Sequence, residues 1–335
     1  MTEFDLIRQY FAVPAQAALN AKASLPTTAY SVELGIGDDC ALLHGQGIAQ
    51  LAVSTDLFVE GRHFFKDCDP YDVAYKALAV NLSDLAAMGA TPVSFTLALS
   101  LPEANPLFLE AFSKGLFDIA NAHGCVLMGG DTTRGPLTIC ITVIGEQALG
   151  TALLRSGARE GDDIWVSGTL GAAALAVEAC YKGQRASVDP QAMACMLRPT
   201  PRVELGDRLR GIANSAIDLS DGLLGDVGHI ARASRCAVEL DLGVLPIHPA
   251  LANLSLQEQW RLALTGGDDY ELCFTALPQR RDAIRALSQA LNLPLTKVGV
   301  MRAGEGLQCI EPHGAMMSAA QLERLNSYDH FPVGL

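Results

Sequence analysis

The chain contains little lysine and no closely spaced pair of cysteines, and both shortages exclude certain classes of function. Only six of its 335 residues are lysine, and its formal net charge is −13. An acidic chain without a basic cluster is poorly suited to a nucleic-acid backbone. The nine cysteines are scattered singly, so neither a zinc site nor a disulfide framework is indicated. We expect no nucleic-acid partner and a reducing, cytoplasmic location.

Long apolar runs are also absent. No stretch approaches the ~20 residues needed to span a bilayer. The first residues include Glu3 and Asp5 and lack the apolar segment of a signal peptide. Half of the residues are hydrophobic and 18% are charged, a composition typical of globular proteins, and the length suits two domains. We therefore expect a two-domain protein with no membrane partner.

Strand-like and helix-like patterns alternate along the chain, which predicts an α/β or α+β fold in two layers. A glycine-rich loop over residues 149–161 suggests a division into domains 1–148 and 149–335. Strands are predicted at residues 51–54, 93–101, 125–128, 137–144, 163–167, 215–217, 270–275 and 295–300. Helices are predicted at residues 1–11, 70–88, 105–123, 172–180, 202–212, 221–234 and 279–291.

One predicted helix carries a carboxylate in an apolar setting. Asp69 is a suitable N-cap, Pro70 suits the first helical position, and Gly89 is a natural stop. Between them the residues are mostly Ala, Leu and Val, yet Asn81 and Asp84 share one face. A buried aspartate is costly unless it is paired or bound to a cation, which makes Asp84 a candidate metal ligand.

Further aspartates follow glycines or apolar strands, and we expect several of them to converge where strands end. If four did so, each pair would repel by about 4 kcal/mol at 4 Å and an effective dielectric constant near 20. Each motif taken alone is also typical of a simple turn, and Asp39 is as consistent with a turn as with a ligand. The aspartates in question are Asp38, Asp39, Asp56, Asp131, Asp218, Asp221, Asp268 and Asp269.

Divalent cations would neutralise such a cluster, and ligands that are all oxygen suit Mg²⁺ best. Mg²⁺ with few protein ligands usually retains waters and phosphate oxygens, which points to a nucleotide substrate. Glycines beside the acids would let the backbone approach those phosphates closely. The phosphate-binding loop G-x-x-x-x-G-K and the calcium loop D-x-D-x-D are both absent, so a Walker-type nucleotide enzyme is excluded.

In order and spacing, the motifs resemble the thiamine-monophosphate kinase family, within the aminoimidazole-ribonucleotide synthetase-like superfamily. The resemblance covers essentially the whole chain. It is carried by residues 37–41, 54–64, 80–90, 129–135, 218–223, 266–272 and 328–331.

The resemblance implies a two-domain fold, a homodimer whose N-terminal sheets join across a twofold axis, and ATP-dependent phosphorylation of thiamine monophosphate with several Mg²⁺ ions. The positions that match magnesium ligands are Asp38, Ser54, Thr55, Asp56, Asp84, Asp131, Asp218 and Asp221. Those that match ATP-binding positions are Gly130, Asp131, Arg155 and Ser220. Those that match substrate-binding positions are His63, Asp268 and Tyr328.

Two departures from the family pattern affect the substrate side: Asp268 stands where Glu is usual, and Ser327 where Gly is usual. Two other functions stay open at this point. One is an enzyme of the same fold that uses ATP on a different acceptor. The other is a non-catalytic protein that binds nucleotide and metal for regulation.

Overall fold

The computed structural model describes residues 8, 12–13, 30–45, 49–322 and 325. The helix predicted over residues 1–11 lies, apart from residue 8, outside the described residues, and so does Tyr328. No helix in the described ranges is both long enough and apolar enough to cross a membrane.

The first half of the described chain builds one six-stranded mixed sheet with the order β1-β2-β3-β6-β4-β5. All neighbours are antiparallel except β4 and β5, which are parallel. Its elements are β1 (Tyr30–Leu34), β2 (Ala41–Gly45), β3 (Ala49–Val59), α1 (Pro70–Ala87), β4 (Thr91–Leu101), α2 (Pro106–Ala122), β5 (Val126–Arg134) and β6 (Thr138–Ala148).

The second half builds another six-stranded mixed sheet with the order β12-β9-β11-β7-β10-β8. Only β9 and β12 pair in parallel. Its elements are β7 (Asp163–Ser167), α3 (Ala172–Tyr181), α4 (Pro190–Leu197), α5 (Val203–Leu209), β8 (Ser215–Asp218), α6 (Leu223–Ser234), β9 (Ala237–Asp241), α7 (Leu256–Thr265), β10 (Leu272–Ala276), α8 (Arg281–Leu291), β11 (Leu295–Arg302), β12 (Leu307–Ile310) and α9 (Ala319–Leu322).

Helix α1 connects the two halves and has the ends that its sequence predicts. The Asp69 side chain accepts a hydrogen bond from the Tyr71 N–H at 2.9 Å, and the chain turns at Gly89 with a φ of +66°. The helix contacts β3 and β6 on one side and β8 and α5 on the other. Thirteen of its residues are buried, because apolar side chains are needed on nearly every face of a helix between two sheets.

Several elements were not predicted. No element was predicted where the structure has strands β1, β2, β9 and β12 and helices α4, α7 and α9. Strand β5 was predicted as a short buried strand, but it extends to Arg134 and is largely exposed. The prediction for β5 is wrong because β5 lies at the edge of its sheet, where only one neighbour covers it.

Candidate active site

A cavity of about 640 Å³ lies between the two halves of the molecule. Helix α1 lines it with Asp72, Lys76, Val80 and Asp84, which recur every four residues and so share one face of the helix. The other walls come from β3, residues 61–68, α3, α7 and the segments 218–221 and 265–270. The cavity therefore brings together residues that lie up to about two hundred positions apart in the sequence.

Three aspartates converge beside this cavity. Carboxylate oxygens of Asp39, Asp84 and Asp218 all lie within 4.8 Å of one another. The Ser54 hydroxyl donates to Asp84, and the Ser83 hydroxyl donates to Asp218 at 2.7 Å. The set is all oxygen and comes from a loop, a helix and a strand end, so it suits a hard divalent cation such as Mg²⁺. Asp39, which the sequence left between ligand and turn, belongs to this cluster.

The pleat of β3 separates its three candidate ligands. Alternate residues of a strand point to opposite faces, so Ser54 and Asp56 share the side that α1 covers, while Thr55 points away. The Thr55 hydroxyl instead pairs with that of Thr142 at 2.9 Å on the opposite face of the sheet, which we call the helix-free face. Asp56 lies three residues before the end of β3, so the expectation that it ends a strand is wrong.

Arg155 links the cluster to the loop before β2. Its guanidinium donates two hydrogen bonds to Asp39, at 3.0 and 3.1 Å, and its backbone N–H donates to Asp38 at 3.1 Å. The Asp39 side chain is fully buried and that of Arg155 is 20% exposed. In this structure the guanidinium of Arg155 is therefore engaged with a carboxylate.

The cluster favours bound protons or cations over bare charge. Burial, followed by repulsion from Asp39, raises the pKa of Asp38 to about 7, and burial raises that of Asp56 to about 6. Burial and neighbouring carboxylates also hold the pKa values of Asp84 and Asp218 well above their usual range. A divalent cation would relieve the same repulsion without protons.

These shifts predict a pH-dependent stabilisation by Mg²⁺. The pKa values of Asp38 and Asp56 are about 7 and about 6 in the folded protein, against 3.8 for a free aspartate side chain, so their protonation stabilises the fold fully below pH 3.8. That contribution disappears as the pH rises through 6 to 7, where Mg²⁺ can replace the protons. We expect added Mg²⁺ to raise Tm little at pH 5 and by about 5 °C at pH 8 at a hundredfold excess over Kd.

Differential scanning fluorimetry with and without Mg²⁺ at each pH measures this effect, and Asp56→Asn should reduce it. Taking the difference at each pH cancels titrations elsewhere in the chain, such as that of His229, whose pKa burial lowers to about 4. An Mg²⁺ effect that is equal at both pH values would contradict the assignment.

Two residues that match substrate-binding positions also line the cavity. His63 stacks on Phe58 with ring centroids 5.4 Å apart, and its Nδ1 accepts the Val59 N–H at 3.0 Å, which leaves Nε2 to carry the proton of the neutral ring. Asp268 has a positive φ of +76° and an ion pair with Lys76. His63 and Asp268 thus line the same cavity as Asp84, while Tyr328 lies outside the described residues.

Ser220 and Asp221 line the cavity just after β8. The Ser220 carbonyl accepts the Asp268 N–H at 2.9 Å, and the Asp221 N–H donates to buried Asp226 at 3.1 Å. These backbone bonds fix the segment after β8 against the Gly-Gly-Asp turn. Two motifs that resemble ligand-binding positions are therefore joined by backbone hydrogen bonds.

Gly130 and Asp131 lie apart from the other candidates. Cross-strand pairing aligns Asp131 with Ala98 of β4, which aligns in turn with Cys140 of β6 and Leu57 of β3. Asp131 therefore lies three strands from β3, about 14 Å away, and on the helix-free face. A Cβ on Gly130 would meet the Leu97 carbonyl at 1.8 Å, so close strand packing alone requires this glycine. Within one chain neither residue joins the cluster at Asp84.

Sequence reasoning missed two charged partners at the site. Lys76 pairs with Asp268 across 192 positions, so one of the few lysines of the chain does neutralise an acid at the site. Glu271 is held by Arg202 and by Ser167, so it is not available to replace Asp268 as a substrate contact. Lys76 lies four residues before Val80 and eight residues before Asp84. This helical spacing could have identified Lys76 as a residue of the site.

Both halves of the chain match known family models. Residues 37–147 match the AIR synthase related protein, N-terminal domain, and residues 159–310 match the AIR synthase related protein, C-terminal domain. The chain is 46% identical over 334 residues to the thiamine-monophosphate kinase of Escherichia coli strain K12, an alignment that covers 98% of each chain.

Solved structures agree with this similarity. The crystal structure of thiamine-monophosphate kinase from Stenotrophomonas maltophilia K279a aligns with a TM-score of 0.76 and 46% identity, over 90% of this chain and 96% of that one. AaThiL complexed with AMPPCP and TMP aligns with a TM-score of 0.78 and 28% identity, over 98% and 97%.

Proposed function

We infer from these similarities that the chain, which belongs to the thiamine-monophosphate kinase family, phosphorylates thiamine monophosphate with ATP in thiamine biosynthesis. The products are thiamine diphosphate and ADP. The observation that carries this function in the structure is that one cavity is lined both by the acidic residues Asp56, Asp84 and Asp218 and by His63 and Asp268.

The acceptor in this reaction is a phosphate oxygen that is already ionised at neutral pH, so no strong general base is required. The cavity accordingly offers many carboxylates and no paired nucleophile and base among its lining residues. Catalysis would come from aligning donor and acceptor phosphates in line and from neutralising charge in a loose transition state. The aspartates thus serve as a scaffold for cations rather than as proton carriers.

We propose that several Mg²⁺ ions bind along this scaffold. Asp39, Asp84 and Asp218 supply converging oxygens, with Asp56 and Asp221 beside them on the cavity wall. Burial, followed by repulsion from neighbouring carboxylates, raises the pKa values of Asp84 and Asp218, so a cation would stabilise their charged forms. Bound Mg²⁺ would supply neutralisation of the phosphate oxygens. Asp38 would act through Arg155, whose backbone N–H it accepts, and Ser54 would act through Asp84, to which its hydroxyl donates. Thr55 would act through its backbone carbonyl.

For ATP we propose Arg155 and Ser220 as contacts within the chain, and the relative complexed with AMPPCP and TMP supports ATP as the co-substrate. The position of Gly130 and Asp131 on the outer edge of the sheet requires a further element. We propose that they contribute to nucleotide and metal binding once two N-terminal sheets have joined. For thiamine monophosphate the proposed contacts are His63, Asp268 and Tyr328.

A homodimer joined through the N-terminal sheet is the assembly that we propose, with a domain division after residue 148. The helix-free face and the β5 edge expose Leu57, Val126 and Met128, each to more than half of its surface. An exposed apolar face and an open strand edge are usually covered by a partner.

Light scattering at micromolar concentration should give twice the mass of one chain. Leu57→Lys should shift the protein toward monomer, whereas Leu107→Lys should not, because equally apolar Leu107 lies exposed on α2, outside the sheet. A monomeric mass for the unmodified chain would contradict the assembly.

A panel of acceptors tests the proposed activity against the alternative of another enzyme on the same fold. With ATP and Mg²⁺ present, ADP release should depend on thiamine monophosphate and should be at least about tenfold slower with thiamine or simple phosphate esters. Binding of ATP without turnover on any acceptor would favour a regulatory protein instead. A cytoplasmic location stays a prediction of the sequence.

A further inference from the structure

Lys76 is a buried cation that no motif accounts for. It is 6% exposed on the cavity face of α1, and its Nζ forms an ion pair with a carboxylate oxygen of Asp268 from the second half of the molecule. Both side chains line the cavity. A lysine is costly to bury even when it is paired, so a purely structural role would be served more cheaply by an apolar residue.

Lys76 contacts one proposed substrate contact, Asp268, and shares its helix face with Asp84 of the acidic cluster. It lies eight residues before Asp84 on the same helix face, a separation of about 12 Å along the helix axis. Another cavity-lining cation, Arg261, is already paired with Glu178 and Glu258 at 2.7 Å. A molecule in the cavity that reached from Asp268 toward Asp84 would therefore pass the Lys76 ammonium.

Thiamine monophosphate carries the same two charges as this ion pair. Its thiazolium ring is cationic and its phosphate is anionic, so it can replace the Lys76–Asp268 pair with two new pairs of opposite charge. We propose that the ion pair opens when the acceptor binds: Asp268 faces the thiazolium, and Lys76 binds the acceptor phosphate and holds it toward the cluster at Asp84. This inference rests on the proposed function and assigns to it a phosphate-binding residue.

The two partners differ in their freedom to move. Asp268 is fixed by its left-handed backbone and by the hydrogen bond from its N–H to the Ser220 carbonyl. Lys76 has a four-carbon stem that can swing and an ammonium with three donors, which suits a phosphate whose position changes during transfer. Asp268 would thus stay in place for the ring while Lys76 moves to the phosphate. The exchange makes and breaks no covalent bond.

The consequence is a preference for the phosphorylated ligand that depends on Lys76. We would measure Kd by calorimetry for thiamine monophosphate and for thiamine, with Mg²⁺ and AMPPCP present. Lys76→Met and Lys76→Gln should weaken thiamine monophosphate about 10- to 100-fold, as expected for a lost charged hydrogen bond, and thiamine by less than about threefold. Lys76→Arg should retain most of the preference, and Asp268→Asn should weaken both ligands alike, since both carry the thiazolium.

Equal effects of Lys76→Gln on the two ligands would overturn the inference, because Lys76 would then act only by holding Asp268. The same conclusion would follow if the double variant Lys76→Gln, Asp268→Asn showed no further loss of thiamine monophosphate binding beyond that of Asp268→Asn. If the unmodified chain bound neither ligand, the proposed function itself would fail. If it bound both and lost no preference in Lys76→Gln, only the role of Lys76 would fail.

Discussion

Replacing Asp84 by Asn should lower kcat by about 10³-fold or more while leaving the fold intact. Asp84 lies at the centre of the acidic cluster, and an amide there would remove one anionic ligand from the ions that neutralise the reacting phosphates. The same change removes one of several mutually repelling charges. We therefore expect the metal-free variant to be as stable as the unmodified protein, or more so, at pH 8.

Steady-state kinetics over a range of Mg²⁺ concentrations, together with thermal unfolding in a chelator, would measure both effects. Asp282→Asn is the matched control, because it removes the same charge at a side chain that is 93% exposed on α8. Asp282 is not part of the cavity wall. Turnover by Asp84→Asn at ordinary Mg²⁺ concentrations would contradict the role of the cluster.

Replacing Arg155 by Met should have the largest effect on stability. The guanidinium neutralises the buried Asp39, and removing one partner of a buried ion pair typically costs ~3 kcal/mol. Added Mg²⁺ should restore part of this loss, because it can neutralise Asp38 and Asp39 in place of the arginine. KM for ATP should also rise. Arg155→Lys keeps the charge but loses the paired donors, so its stability and its KM for ATP should lie between those of the unmodified protein and those of Arg155→Met.

Urea unfolding with and without Mg²⁺, and kinetics with ATP varied, would test this expectation. Arg302→Met is the control, since the Arg302 side chain is 53% exposed and its ion pair with Glu239 should contribute little to stability. If both arginine variants lost equally little, Arg155 would not be the counter-charge of the cluster.

The local features of this protein follow directly from its sequence. Helix α1 begins at its Asp69-Pro70 cap and ends before Gly89, and α2 lies within the range predicted for it. These predictions succeeded because caps, stops and apolar periodicity act over a few residues. The convergence of Asp84 with Asp218 was also predicted, since two carboxylates in apolar settings have few other ways to be accommodated.

The features that sequence reasoning missed depend on which side of a sheet a residue faces. Adjacent Thr55 and Asp56 differ in role because the pleat of β3 turns them to opposite faces. Asp131 was grouped with the cluster on its motif, yet pairing register places it on the outer face. Register is set by long-range contacts, so a single sequence cannot reveal it reliably.

Partners of buried charges were equally hidden. Asp39 could not be assigned until Arg155 was seen beside it, 116 positions away, and the Lys76–Asp268 pair spans 192. The missed strands β9 and β12 are only five and four residues long, and they are stabilised mainly by their neighbours in the second sheet. Tertiary contacts, rather than local preference, determine these elements.

Phosphorus NMR of the protein with ATP, Mg²⁺ and thiamine monophosphate tests the central claim most directly. Direct transfer predicts that the single resonance of the monophosphate ester is replaced by the two coupled resonances of a diphosphate ester, while ATP is converted to ADP in equal amount and no inorganic phosphate appears. Release of inorganic phosphate with the monophosphate resonance unchanged would contradict the account, and so would the absence of any ATP consumption.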